Sequence, residues 1–122
     1  MSKTFIRTIL VIAVCAFGSA AIARADALYF EKTTVKTSSE ATCLRFAGDV
    51  SRNLGFRNGH SSASEVAGTV NGVYVSITCV GRGQQPAIAV VMAVAGNFAL
   101  AQQTGHLVAS KVSGVVCFDS PC

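Results

Sequence analysis

The stretch EVAGTVNGVYVSITCV, running from Glu65 to Val80, decides the fold. Its centre, Asn71-Gly72, is the pair that best tolerates positive φ at both positions of a two-residue type I′ turn, so residues 65–70 and 73–80 fold back on each other as an antiparallel hairpin. A two-residue loop also sets the register. Val70 then faces Val73, Gly68 faces Val75 and Val66 faces Ile77, giving one apolar face that continues to Cys79, while Tyr74, Ser76 and Thr78 point to the other.

Towards the N-terminus, residues 56–64 are mostly polar and contain glycine, and read as a loop. Before them, Cys43, Phe46, Ala47, Val50 and Leu54 recur at helical offsets, so they fall on one face of a helix. Thr37 and Glu40 have the spacing of a capping box, Ser38 and Ser39 are equally good caps, and Gly55 suits a left-handed C-cap. Residues 29–36, rich in Thr, Val and aromatics but carrying Lys32 and Lys36, read as an edge strand.

Towards the C-terminus, residues 81–85 form a second turn. Residues 86–95 make an uncharged apolar run that belongs inside a sheet. Asn97 is a good N-cap for a helix over 98–112 with Leu100, Ala101, Leu107, Val108 and Val112 on its face, weakened by Gly105 and closed by Gly114. Residues 115–118 offer a short final strand. The order β-α-β-β-β-α(-β) predicts an α+β two-layer sandwich with both helices on one face of an antiparallel sheet.

The first 25 residues read differently. Lys3 and Arg7 precede sixteen uncharged, mostly apolar residues, 8–23, and Ala21, Ala23 and Ala25 offer overlapping A-x-A cleavage sites. This is the pattern of a signal peptide over 1–25, leaving a single α+β domain over 26–122. Sixteen residues fall short of the roughly 20 that span a bilayer, which weighs against a permanent membrane anchor. Cys15 leaves with the signal.

Lys3, Arg7 and Arg24 are three of the ten basic residues, whereas all six acidic ones lie beyond the signal. Seven basic against six acidic residues leave the mature chain near neutral, which argues against nucleic acid as a partner. Cys43, Cys79, Cys117 and Cys122 are an even set in a small exported domain, and the expectation is Cys43 to Cys79 and Cys117 to Cys122, one of three possible pairings. Uniform rises place Cys43 and Cys79 about 10 Å apart unless the helix crosses the strands obliquely. The compartment expected is the periplasm or the medium.

The helix cysteine combined with Ile77-Thr-Cys79 resembles the layout of small exported bacterial proteins of unknown function, a resemblance that bears on the fold and brings no catalytic motif. The α-β-β-β-α run also resembles the order of a double-stranded-RNA-binding domain, but the second helix lacks the lysines that grip phosphate.

Chemical readings are thin. His60 and His106 stand apart with no metal-ligand spacing, so no metal or cofactor is expected. Ser61, Ser62 and Ser64 beside His60 have the residue types of a nucleophile and base without the Gly-x-Ser-x-Gly turn. Asp49 and Glu65 do not form a spaced carboxylate pair, and Cys117 and Cys122 are too far apart for a dithiol redox motif. A non-enzymatic structural or partner-binding role is therefore expected.

Two surfaces are candidates for that role. The sheet face away from the helices is expected to show Tyr74, Ser76, Thr78, Val80, Ala87, Ala89, Val91 and Ala93, a nearly uncharged surface suited to a partner or a weak homodimer. Alternatively, loops 56–64 and 81–85, brought to one end of the sandwich, gather Arg57, Asn58, His60, Arg82, Gln84 and Gln85 for a small anionic ligand.

Overall fold

The computed structural model describes residues 26–117, in the order β1 (Ala27–Thr34), α1 (Glu40–Leu54), β2 (Arg57–Ser61), β3 (Glu65–Val70), β4 (Val73–Arg82), β5 (Gln85–Ala95) and α2 (Phe98–Gly114). The signal peptide expected over 1–25 and the bridge to Cys122 fall outside the described residues. Five strands form one antiparallel sheet in the order β1-β5-β4-β3-β2. Both helices cover the same face, α1 over β3 and β4 and α2 over β1 and β5, which is the α+β sandwich read from the sequence.

The central hairpin forms in the expected register, Val70 with Val73, Gly68 with Val75 and Val66 with Ile77. Asn71 and Gly72 take φ of 51° and 76°, the two positive angles a type I′ turn requires. In α1 the cap is Ser39, whose Oγ accepts from the Thr42 amide at 3.1 Å. Thr37 acts one step earlier, its Oγ1 accepting from the Ser39 amide. Gly55 ends the helix at φ 76°, with its own amide donating to Arg52 O and that of Phe56 to Ser51 O, a Schellman closure.

Cys43, Phe46, Ala47 and Val50 are buried against the sheet. Cys43 and Cys79 form a disulfide with Cα atoms 6.0 Å apart, so the separation of about 10 Å given by uniform rises does not arise. Both are fully buried, and the bond ties α1 to β4 inside the core. A buried disulfide belongs to an oxidising compartment rather than the cytosol. Among the described residues no helix is long and apolar enough to cross a membrane.

Several expectations are corrected. Residues 57–61, read as loop, are the edge strand β2. Their sequence, Arg-Asn-Gly-His-Ser, has no apolar alternation because every one is exposed, and a bulge between Arg57 and His60 is accommodated by the positive φ of Asn58, 50°. Val115, Val116 and Cys117 are not strand. In α2 the buried face is Ala101, Thr104, Gly105, Val108, Ala109 and Val112, while Leu100 and Leu107 are exposed.

Gly105 is not a weak point of that helix. A Cβ there would come within 2.7 Å of Tyr29 Cδ1 and 3.2 Å of Ala93 Cβ, so only glycine lets α2 sit this close to β1 and β5.

The largest correction concerns β5. Val91 pairs with Ile77, Ala89 with Cys79 and Ala93 with Val75, so Ala87, Ala89, Val91 and Ala93 share the apolar face of the hairpin and are fully buried beneath the helices. Its alternate residues, Ile88, Val90, Met92 and Val94, occupy the open face instead. In an unbroken apolar run both parities look alike, and only the register against β4 chooses between them.

Candidate functional site

The face opposite the helices is built from cross-strand rows fixed by the pairing. Leu28, Val94, Tyr74, Thr69 and Arg57 form one row; Phe30, Met92, Ser76, Ala67 and His60 the next; then Lys32, Val90, Thr78 and Glu65; and finally Thr34, Ile88 and Val80. Phe30 is 61% exposed, Leu28 54% and Met92 40%, and Tyr74 and Val80 are exposed as well. A cluster of large apolar side chains left 40–61% exposed on one sheet face is the informative exception to burial, because each forgoes about half of the roughly 1.5–3 kcal/mol that full burial brings. The uncharged character expected of this surface holds for its middle. Its charges stand at the sides, Lys32 on β1 and Glu65 with Arg57 and His60 on β3 and β2.

Of the residues expected here, Tyr74, Ser76, Thr78 and Val80 are on this face and Val91 is not. Sequence reading missed Leu28, Phe30, Ile88, Val90, Met92 and Val94. The usable signal was Leu28-x-Phe30 flanking Tyr29, which places two large apolar residues on the parity opposite a core-facing tyrosine.

The loop site does not assemble. α1 ends beside the Asn71-Gly72 turn, and because 57–61 is a strand it carries the chain back along the whole sheet. Arg57 pairs with Thr69, itself paired with Tyr74, and Tyr74 is eight residues along β4 from Arg82. At about 3.3 Å per residue the two arginines lie about 26 Å apart along the strand direction, at opposite ends. Only the tip of the segment reaches the other end, where Ser64 O accepts from the Cys79 amide.

At that end Arg82 and the Gly81 amide already have partners. Arg82 donates from Nε and Nη2 to Pro86 O at 2.8 and 2.6 Å, and the Gly81 amide donates to Glu40 Oε2 at 3.0 Å. A carboxylate therefore holds an amide that an anion would need. His60 Nε2 lies 3.2 Å from Glu65 Oε1, Asn58 sits in the β2 bulge, and Gln84 and Gln85 occupy the β4–β5 turn and the start of β5.

On the helix side, Glu31 Oε2 accepts from Tyr29 Oη at 2.8 Å and lies 2.9 Å from His106 Nδ1. The His106 hydrogen bond, with that from Tyr29, holds the Glu31 carboxyl below its ordinary range, against the opposing pull of desolvation. The same bond to Glu31, with burial adding to it, pushes the Tyr29 phenol up. Tyr29 also meets Phe98 edge to face, ring centroids 6.1 Å apart. The cluster fastens α2 to β1.

Between the helices runs an open groove of about 540 Å³ bordered by Val50, Leu54, Ser110 and Lys111. Asp49 pairs with Arg52 and Glu65 with His60, so the two carboxylates serve different neighbours. Among the described residues no three His, Cys, Asp or Glu side chains gather as a metal site. No protein-family model matches the chain, and no curated protein matches it.

Proposed function

We propose that this is an exported, disulfide-stabilised binding protein that performs no chemistry on its partner and docks another protein surface on its open sheet face. The single observation that carries this is the cluster of exposed Leu28, Phe30, Tyr74, Val80 and Met92 on a face that neither helix among the described residues covers. Soluble monomers rarely expose contiguous apolar patches beyond a few hundred Å² unless something binds there. Export rests on the signal-like residues 1–25 and delivery to the periplasm or medium, and the Cys43–Cys79 bridge fits that route.

A photo-crosslinking amino acid placed at Phe30, in cells exporting the protein, tests the reading against the same probe at Arg45 on exposed α1. A discrete adduct from position 30 and none from position 45 is expected. No adduct from 30, or equal adducts from both, refutes it.

A further inference from the structure

We propose that the occupant of the open face is a second copy of this chain, packed sheet to sheet across a two-fold axis parallel to the strands and between β5 and β4; the proposal rests on the docking reading above. An axis in that position lays β1 over the partner's β3 and β5 over the partner's β4. Two independent demands are then met together.

The first is charge. Within the five strands, Lys32 at one side of the open face and Glu65 at the other belong to the same row, joined through Val90 and Thr78. The two-fold sets Lys32 against Glu65 of the partner subunit, and by symmetry Glu65 against Lys32 of the partner subunit. Lys32 and Glu65, on opposite sides of an apolar middle, thus meet each other in this orientation, while Arg57 and His60 on β2 lie beyond the four overlaid strands.

The second is shape. In the neighbouring row Phe30 and Met92 project, while Ser76 and Ala67 are only 7% and 1% exposed and form a floor flanked by Tyr74, Thr78 and Met92. The same axis sets Phe30 over Ala67 of the partner subunit and Met92 over Ser76 of the partner subunit. In this row the large side chains thus enter the low Ser76–Ala67 floor of the facing sheet, as inner faces interdigitate in aligned sandwiches.

The area is sufficient. With strands about 4.8 Å apart and residues about 3.4 Å apart, the four strands and four rows cover about 19 by 27 Å, so pairing covers about 1,000 Å² over both copies, the floor for a specific interface. The dimer is accordingly weak and concentration-dependent.

Sedimentation equilibrium of the mature, oxidised protein tests this. Wild type should dimerise as concentration rises, and Lys32→Glu and Glu65→Lys should each raise Kd roughly tenfold or more, because two attractive pairs per dimer become repulsive. The double variant should return Kd toward the wild-type value. Met92→Lys, folded by circular dichroism, should be monomeric. If the double variant is no better than the singles, the register is wrong. A wild type that stays monomeric at every concentration overturns self-association. In that case a Phe30 adduct heavier or lighter than twice the chain mass leaves the docking reading standing, and the absence of any adduct removes both.

Discussion

Removing the Cys43–Cys79 bridge by a Cys43→Ala, Cys79→Ala double substitution should cost a large part of the domain's stability. The cysteines are 36 residues apart in sequence. Closing a loop of that length in the unfolded chain corresponds to about 13 cal/mol/K, or about 4 kcal/mol at 25 °C. Both residues are fully buried in the core, so loss of two sulfur atoms adds about 1 kcal/mol for the space left behind. Against a total of about 5–15 kcal/mol for a domain, the variant retains little margin. Urea unfolding followed by circular dichroism measures the difference. A loss below about 1 kcal/mol, or alkylation of Cys43 in the untreated native protein, would show that the bridge does not restrain the chain as described.

Gly105→Ala trades about 1 kcal/mol of helix propensity against about 1–3 kcal/mol of overpacking onto Tyr29 and Ala93, so thermal unfolding should show a net loss; a gain means α2 stands further from β1. Ser39→Ala should cost about 1 kcal/mol in the same assay by removing the α1 cap, and an unchanged midpoint would show that Thr37 or water takes its place. Glu31 has a depressed carboxyl, so its contribution is present above the ordinary carboxylate pKa near 4.5 and is lost as pH falls through the lowered folded value. Urea midpoints should therefore drop more steeply with acid in wild type than in Glu31→Gln, and parallel curves would show that the contact with His106 adds nothing.

Much of the fold was legible because local chemistry and tertiary packing agree. The Asn71-Gly72 turn set the hairpin register, and the caps at Asn97 and Gly55 and the spacing of Cys43, Phe46, Ala47 and Val50 placed the helices. Legibility failed where sequence pattern and burial part company. The strand 57–61 is an exposed edge and has no apolar side chain to mark its period. Missing it put Arg57 beside Arg82, since a loop stays at one end of a sheet while a strand crosses it.

The open face is legible as a surface through β4, but the parity of its β5 members is not. Ala87 to Val94 contains no polar residue to break the symmetry between parities. Small residues at 87, 89 and 93 are the retrospective signal, because helices approach a sheet most closely over alanine. Likewise in α2 the residues that touch the sheet are the small ones, and Leu100 and Leu107 flank a groove instead.

Beyond Met1 the only methionine is Met92, at the middle of the open face and 40% exposed in the single chain. Its oxidation by peroxide, read as the gain of one oxygen in the intact mass of the mature protein, therefore reports cover on that face alone. Fast oxidation in dilute solution and strong protection in concentrated protein or in the intact exporting cell are the results expected if the face is a docking surface. Equally fast oxidation under all three conditions would contradict it.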